Sequence, residues 1–185
     1  MANTYNVEQN KITKESIFIA LMSIMEKKDF KNISITEVTK KAGVSRMAFY
    51  RNYQILEDIL TEHLEALFME YAALLESKEF SNYEMTRLYF YCFRQHQFFI
   101  INLLRSKMNQ LILDQSVGFL DEFSKSIVCT IDCTPEFEKY NIHFIAGGIL
   151  NVLIAWCMNG MEETDELMAE LVCERLTPHI IGISA

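Results

Sequence analysis

Residues 35–52, ITEVTKKAGVSRMAFYRN, constrain the fold of this chain more than any other stretch. They leave room for two short helices and one tight turn. Gly43 can take the left-handed backbone conformation that ends a helix. Ser45 carries a hydroxyl that can accept from the free amides of a following first turn. The spacing predicts a helix over 37–42 capped by Thr36, and a turn through Ala42, Gly43, Val44 and Ser45 with Val44 plugged inward. A third helix follows over 46–52. A glycine in the turn, apolar residues on both sides and a hydroxyl opening the second helix make a helix-turn-helix pattern, about 34–53, whose second helix would enter a DNA major groove.

Helix–glycine–helix hairpins are common, so the surroundings matter. The net charge of −8 argues against nucleic acid when taken alone. Its distribution does not. Residues 1–53 hold nine basic and five acidic side chains, a local charge of +4, which leaves −12 for the remainder. A small basic head on an acidic body suits a phosphate-binding module joined to something else.

Around the pattern the periodicity is helical. Ile17, Ala20, Leu21 and Ile24 predict a helix over 13–28, with Phe30 and Ile33 covering the core in the connector behind it. Leu60, Leu64, Leu67, Phe68, Tyr71, Leu74 and Leu75 make one stripe of a long helix over 57–78. Ser81 and Glu84 have capping-box spacing and open a helix to about residue 93. A break near residues 95–97 precedes helices over 98–107 and 110–131. Thr134 and Pro135 open a helix that runs to about residue 159, ended by Gly160. A last helix covers 164–177. With only two prolines, six glycines and no strand-period segment, the expected class is all-α. The expected division is a DNA-binding head over 1–55 and a helical ligand-binding and dimerisation domain over 56–185.

The ordered set Ile17, Ala20, Leu21, Phe30, Ile33, Ile35, Thr36, Val38, Ala42-Gly43-Val44-Ser45, Phe49-Tyr50 and Glu57-Asp58-Ile59-Leu60 resembles the TetR (tetracycline-repressor-like) family of bacterial transcriptional regulators. The resemblance covers about the first third of the chain. It implies a three-helix DNA-binding domain followed by a helical domain that binds a ligand and dimerises. It also implies that Tyr50 donates its hydroxyl to a DNA phosphate. The chain departs from the family at three places. Leu56 stands where a phosphate-binding lysine is common, Ile55 where a small polar residue is usual, and Met47-Ala48 where glycine or proline and then threonine often stand.

The expected DNA contacts are Thr36, Ser45, Arg46, Met47, Tyr50, Arg51 and Asn52. Arginine at the start of the reading helix suits guanine, with which it pairs bidentately. Phe49 and Tyr53 turn inward by spacing. The body is rich in aromatic and Met side chains, which suits an unknown small, apolar or aromatic ligand. Phe93, Phe123, His143 and Trp156 are the candidates for meeting it, though each taken singly is better explained as core than as a ligand contact. Gly147, Ile154, Met158, Leu167 and Leu171, on the last two helices, are the candidates for a homodimer interface, a four-helix arrangement with two helices from each copy.

Other chemistries find less support. Cys92 with His96, and Cys129 with Cys133, lie four apart, but no third ligand has recognisable spacing, so no metal is expected. Residues four apart on a helix also suit a disulfide poorly. No nucleophile elbow, phosphate loop or cofactor motif occurs, so neither an enzyme nor a cofactor is expected. The apolar stretches 88–104 and 142–161 carry polar or glycine interruptions and do not read as membrane spans. The first ten residues are polar, with no secretory apolar run, and reduced cysteines are expected, which fits a cytoplasmic protein. The sequence therefore points to a ligand-responsive transcriptional regulator, a repressor acting as a homodimer on palindromic operator DNA. The alternative is a protein-interaction adaptor on the same fold with lost or weak operator binding.

Overall fold

The computed structural model describes residues 2–75, 81–126 and 134–176. Among them are nine α-helices and no strand. The chain packs as two units, Met1–His63 and Leu64–Ala185.

In the first unit, α1 (Ala2–Met25) buries Ile17, Ala20, Leu21, Met22 and Ile24 along one side. It begins eleven residues before the position expected from periodicity. Nothing between Ala2 and Ile12 breaks a helix, so the backbone continues while the side chains from Val7 to Ile12 stay exposed. A short 3-10 turn, Phe30–Asn32, brings Phe30 and Ile33 into the core as expected.

α2 (Ile35–Ala42) starts earlier than predicted, and its cap is Ser34 rather than Thr36. The Ser34 hydroxyl accepts from the Glu37 amide at 3.2 Å, and the Glu37 carboxylate accepts in return from the Ser34 amide at 3.4 Å. This reciprocal pair satisfies two amides, whereas Thr36 would satisfy one, so the start shifts two residues upstream. At the other end Gly43 sits at φ 68°, ψ 25°, as its place in the turn demands. α3 (Arg46–Tyr50) is capped by Ser45, whose hydroxyl accepts from the Ala48 amide at 3.0 Å.

α4 (Glu57–Leu75) runs from the first unit into the second. Leu56, just ahead of it, is only 6% exposed and belongs to the core of the head with Ile59 and Leu60. The expected end of this helix at residue 78 lies outside the described residues.

In the second unit, α5 (Asn82–Gln95) packs on α9 (Asp165–Glu170), while α6 (Gln97–Arg105) and α7 (Asn109–Ser126) both pack on α8 (Pro135–Met158). Ser81 caps α5 through the Glu84 amide at 3.2 Å. The Glu84 carboxylate bonds Arg87 at 3.1–3.2 Å, a use of that side chain the capping-box spacing did not foretell. α5 ends at His96, where the break was expected, and α8 ends before Gly160 at φ 85°. The last helix opens on Thr164 as expected, but widens after Glu170 into a π-helical stretch, Leu171–Leu176. The core is aromatic: Phe90 meets Trp156 edge-on at 5.3 Å, and Phe93 meets Tyr89 at 4.4 Å.

Candidate nucleic-acid interface

The surface of the first unit is organised by what α3 buries. Phe49 is fully buried, which turns Arg46, Met47, Tyr50 and Arg51 outward. Met47 is 68% and Tyr50 48% exposed. Arg46 lies along Tyr50. Its Nη2 donates to the Tyr50 hydroxyl at 3.4 Å, and its guanidinium is 5.9 Å from the ring centre. Asn52 is half-buried and its amide donates to the Ala48 carbonyl at 3.0 Å, which ties the end of α3. Ser45 is exposed with its hydroxyl spent on the cap, and Thr36 is exposed on the first turn of α2, its carbonyl accepting from Thr39. Four of the seven expected contacts, Arg46, Met47, Tyr50 and Arg51, are thus exposed on α3 and its end, with Arg46 and Tyr50 bonded to each other. The other three carry structural bonds as well.

Charge on this unit is partly committed. Lys28 donates to both carboxylate oxygens of Glu37, at 2.9 and 2.8 Å, and that contact holds the Glu37 carboxyl below its usual range. Lys40 and Lys41, at the end of α2, are exposed.

Two features escaped sequence reasoning. The Asp58 carboxylate accepts from the amides of Gln54 and Ile55, at 2.6 and 3.0 Å, and so fastens the loop between α3 and α4. The Tyr53 hydroxyl donates to Glu62 Oε2 at 2.6 Å, while Lys14 of α1 donates to Glu62 Oε1 and lies 5.5 Å from the Tyr53 ring. Partners 48 residues apart leave no periodic trace.

In the second unit the four ligand candidates are dispersed in kind. Phe93 is buried against Tyr89 and Phe68; Phe123 stacks on Phe119 at 5.7 Å. Trp156 is buried and its Nε1 donates to the Glu163 carbonyl at 3.1 Å, while His143 is exposed. Of the dimer candidates, Met158, Leu167 and Leu171 are exposed, and Gly147 and Ile154 are half-buried. Tyr140 and Phe144 on α8 are exposed too, at 68% and 60%. Over Lys139–Met158, α8 is long and apolar enough by length and composition to cross a membrane, with a mean hydropathy of 1.6 and 28% of that window buried. The glycine pair 147–148 does not interrupt it.

Cys92 and Cys157 are buried free thiols, both pushed up to about 12 by burial. Cys173 donates to the Thr86 hydroxyl at 3.2 Å. His96 is engaged by Glu70 at 3.0 Å. No group of three or more potential metal ligands occurs among the described residues. Cys129 and Cys133 lie outside them.

Comparison with known proteins bears on both units. The C-terminal region of TetR-type transcriptional regulators matches residues 80–177, just over half of the chain. The chain is similar in structure to Lin0861 from Listeria innocua, with a TM-score of 0.73 and 16% identity over 89% of this chain and 88% of that one. It is similar to a TetR-family transcriptional regulator from Syntrophomonas wolfei, with a TM-score of 0.65 and 18% identity over 95% and 98%. It is also similar to the dihydroxyacetone kinase operon activator DhaS, with a TM-score of 0.58 and 18% identity over 91% and 96%. None of the curated proteins compared with it matches. The profile match over the body, together with a head built as helix, turn and outward-facing second helix, places the chain in the TetR family of transcriptional regulators, and as such it is a DNA-binding regulator.

Proposed function

We propose that this regulator acts as a ligand-responsive homodimeric repressor in the cytoplasm, reading a palindromic operator with one α3 from each copy. The observation that carries the reading is the outward row Arg46, Met47, Tyr50 and Arg51 on a helix anchored from beneath by buried Phe49. In this reading Arg46, at the first helical position, meets base edges, and Tyr50 and Arg51 meet the phosphates that flank the groove. Two such helices bound to one face of DNA stand about 34–36 Å apart. A second copy supplies that symmetry and covers apolar side chains of α8, α9 and the π-helical stretch after it, such as Met158, Leu167 and Leu171, which otherwise face water.

Ligand response follows from thermodynamic linkage. A small apolar or aromatic molecule in the aromatic body lowers operator affinity only if it binds the DNA-incompetent arrangement more tightly than the competent one. DhaS carries the word activator in its name, so the test includes a readout of the sign of control. The test is selection of duplexes from a random library by the full chain, followed by a reporter assay with the selected site. Enrichment of a palindrome, bound by a dimer, and lower expression on adding the regulator are expected. Weak, sequence-independent binding together with a stable heteromeric partner would favour the adaptor reading, to which the exposed Tyr140 and Phe144 would also lend a surface.

A further inference from the structure

We infer that Glu62 is a positioning residue for DNA reading: through Lys14 and Tyr53 it brackets α1 and the segment behind α3 against α4, and so sets the pose of the reading helix. The inference rests on the operator-binding reading above and names residues which that reading leaves unused.

The bracket joins three elements at one carboxylate. Glu62 stands in the second turn of α4. One of its oxygens receives the Tyr53 hydroxyl at 2.6 Å, and the other receives the Lys14 ammonium from α1. A hydroxyl donating to a carboxylate at this distance is a charge-assisted bond, stronger than a neutral one. Tyr53 is only 6% exposed, so its ring cannot swing away to find another partner.

From Tyr53 the connection to the reading helix is short and stiff. The Tyr53 amide donates to the Phe49 carbonyl at 3.0 Å, and the two rings lie 5.7 Å apart. Phe49 is fully buried and meets Tyr50 edge-on at 5.4 Å. A continuous path therefore runs from Glu62 through Tyr53 and Phe49 to Tyr50, the side chain offered to a phosphate. A shift of α4 is passed along it to the DNA-reading surface. Asp58 adds a second tie in the same loop, through the amides of residues 54 and 55.

An ordinary half-exposed ion pair would do none of this. Such pairs contribute little and are screened by salt. What separates this one is the third member: a buried tyrosine whose ring is part of the head's core and whose hydroxyl reaches the helix that continues into the other unit.

The experiment uses the full chain and the duplex that the wild type enriches from a random library. Operator affinity and the thermal midpoint are measured for Tyr53→Phe, Glu62→Ala, Glu62→Gln and the Tyr53→Phe/Glu62→Ala pair. Ile17→Val, a core change in α1 outside the bracket, serves as the destabilised control. Tyr53→Phe is expected to weaken operator binding about tenfold, as loss of one charge-assisted bond would, and Glu62→Ala, which releases Lys14 as well, at least as much. The double variant should be no weaker than Glu62→Ala alone, because both remove the same bond. Glu62→Gln keeps an acceptor for Tyr53 and should stay within about threefold of wild type. The control should lose midpoint but not affinity. Wild-type affinity in Tyr53→Phe, or affinity losses that follow the midpoint in every variant including the control, would overturn the positioning role while leaving operator binding intact. If the wild type enriches no duplex at all, the operator-binding reading falls and this one with it.

Discussion

The Arg94 guanidinium lies over the Trp156 ring, 4.6 Å from its centre, and gives all its remaining reach to the segment that follows. It donates to Asp165 at 2.8 Å, to the Met161 carbonyl at 2.8 Å and to the Glu163 carbonyl. One side chain of α5 thus holds both the turn after α8 and the start of α9. Arg94→Ala should destabilise the body by about 2 kcal/mol, since it strands Asp165 and the Met161 carbonyl at once, while the Glu163 carbonyl keeps the Trp156 Nε1 donor. Arg94→Lys should recover less than half of that, because an ammonium has no planar fork to span the three acceptors. Trp156 is the chain's only tryptophan, so urea unfolding followed by its fluorescence reads this site directly.

Tyr89 presents the opposite situation. Its hydroxyl is buried with no hydrogen-bond partner among the described residues. The Ser116 hydroxyl, which lies near enough to lower the phenol's pKa somewhat against the larger upward push of burial, spends its proton on the Ile112 carbonyl at 2.8 Å. Tyr89→Phe should therefore raise stability, by about 1 kcal/mol, rather than lower it. A reduced midpoint in urea would show that the hydroxyl has a partner after all.

Caps in the head give a clean comparison. Ser34→Ala removes one arm of the reciprocal pair with Glu37 and should cost about 1 kcal/mol. Thr36→Ala, at the residue the spacing favoured as the cap, should cost only a few tenths. Thermal unfolding of the two variants side by side checks the assignment.

Leu56 settles a question raised by the family pattern. Being 6% exposed, it is a core residue, not an idle surface leucine where a lysine belongs. Leu56→Lys should lower the midpoint, by about 2 kcal/mol of lost apolar burial, and should not strengthen operator binding. If about six phosphates are contacted per dimer, log affinity should fall with log salt at a slope of about −5. The same slope in the stable fraction of Leu56→Lys is expected, whereas a steeper one would mean that the lysine reaches DNA.

Glu62 brings a pH dependence with a definite sign. Burial raises its pKa, but the bonds from Lys14 and Tyr53 together outweigh burial and hold it below its ordinary value. Its contribution to the head is therefore complete above the unfolded-chain value of about 4.3 and is lost as pH falls through the lower folded value. In Glu62→Gln the stability of the head should change less between pH 5 and the acid transition than in the wild type. The Tyr53 phenol is pushed upward, first by burial and then by Glu62, so it stays a donor across this range.

Much of the fold was legible because it is local. Gly43 and Ser45 announce the turn, and a helix terminus needs just the backbone freedom and the hydroxyl that these residues supply. Ser81, His96, Gly160 and Thr164 mark termini for similar reasons. Errors arose where two local solutions compete. Ser34 and Thr36 both carry hydroxyls, and the return bond from Glu37 decides between them. The early start of α1 is not legible in the periodicity, because a solvated helical segment with no apolar stripe leaves no periodic signal.

The sequence by itself determined the all-α class, the reading-helix unit and the outward row on α3, since all three follow from propensity, capping and the spacing of buried Phe49. Tertiary structure alone decided that Leu56 is core, that Glu62 joins Lys14 to Tyr53, and that Arg94 holds the start of α9. The physical reason is range. A cap or a helical face is written within one or two turns of chain, whereas a side chain's burial and its distant partner depend on which elements come to lie beside it.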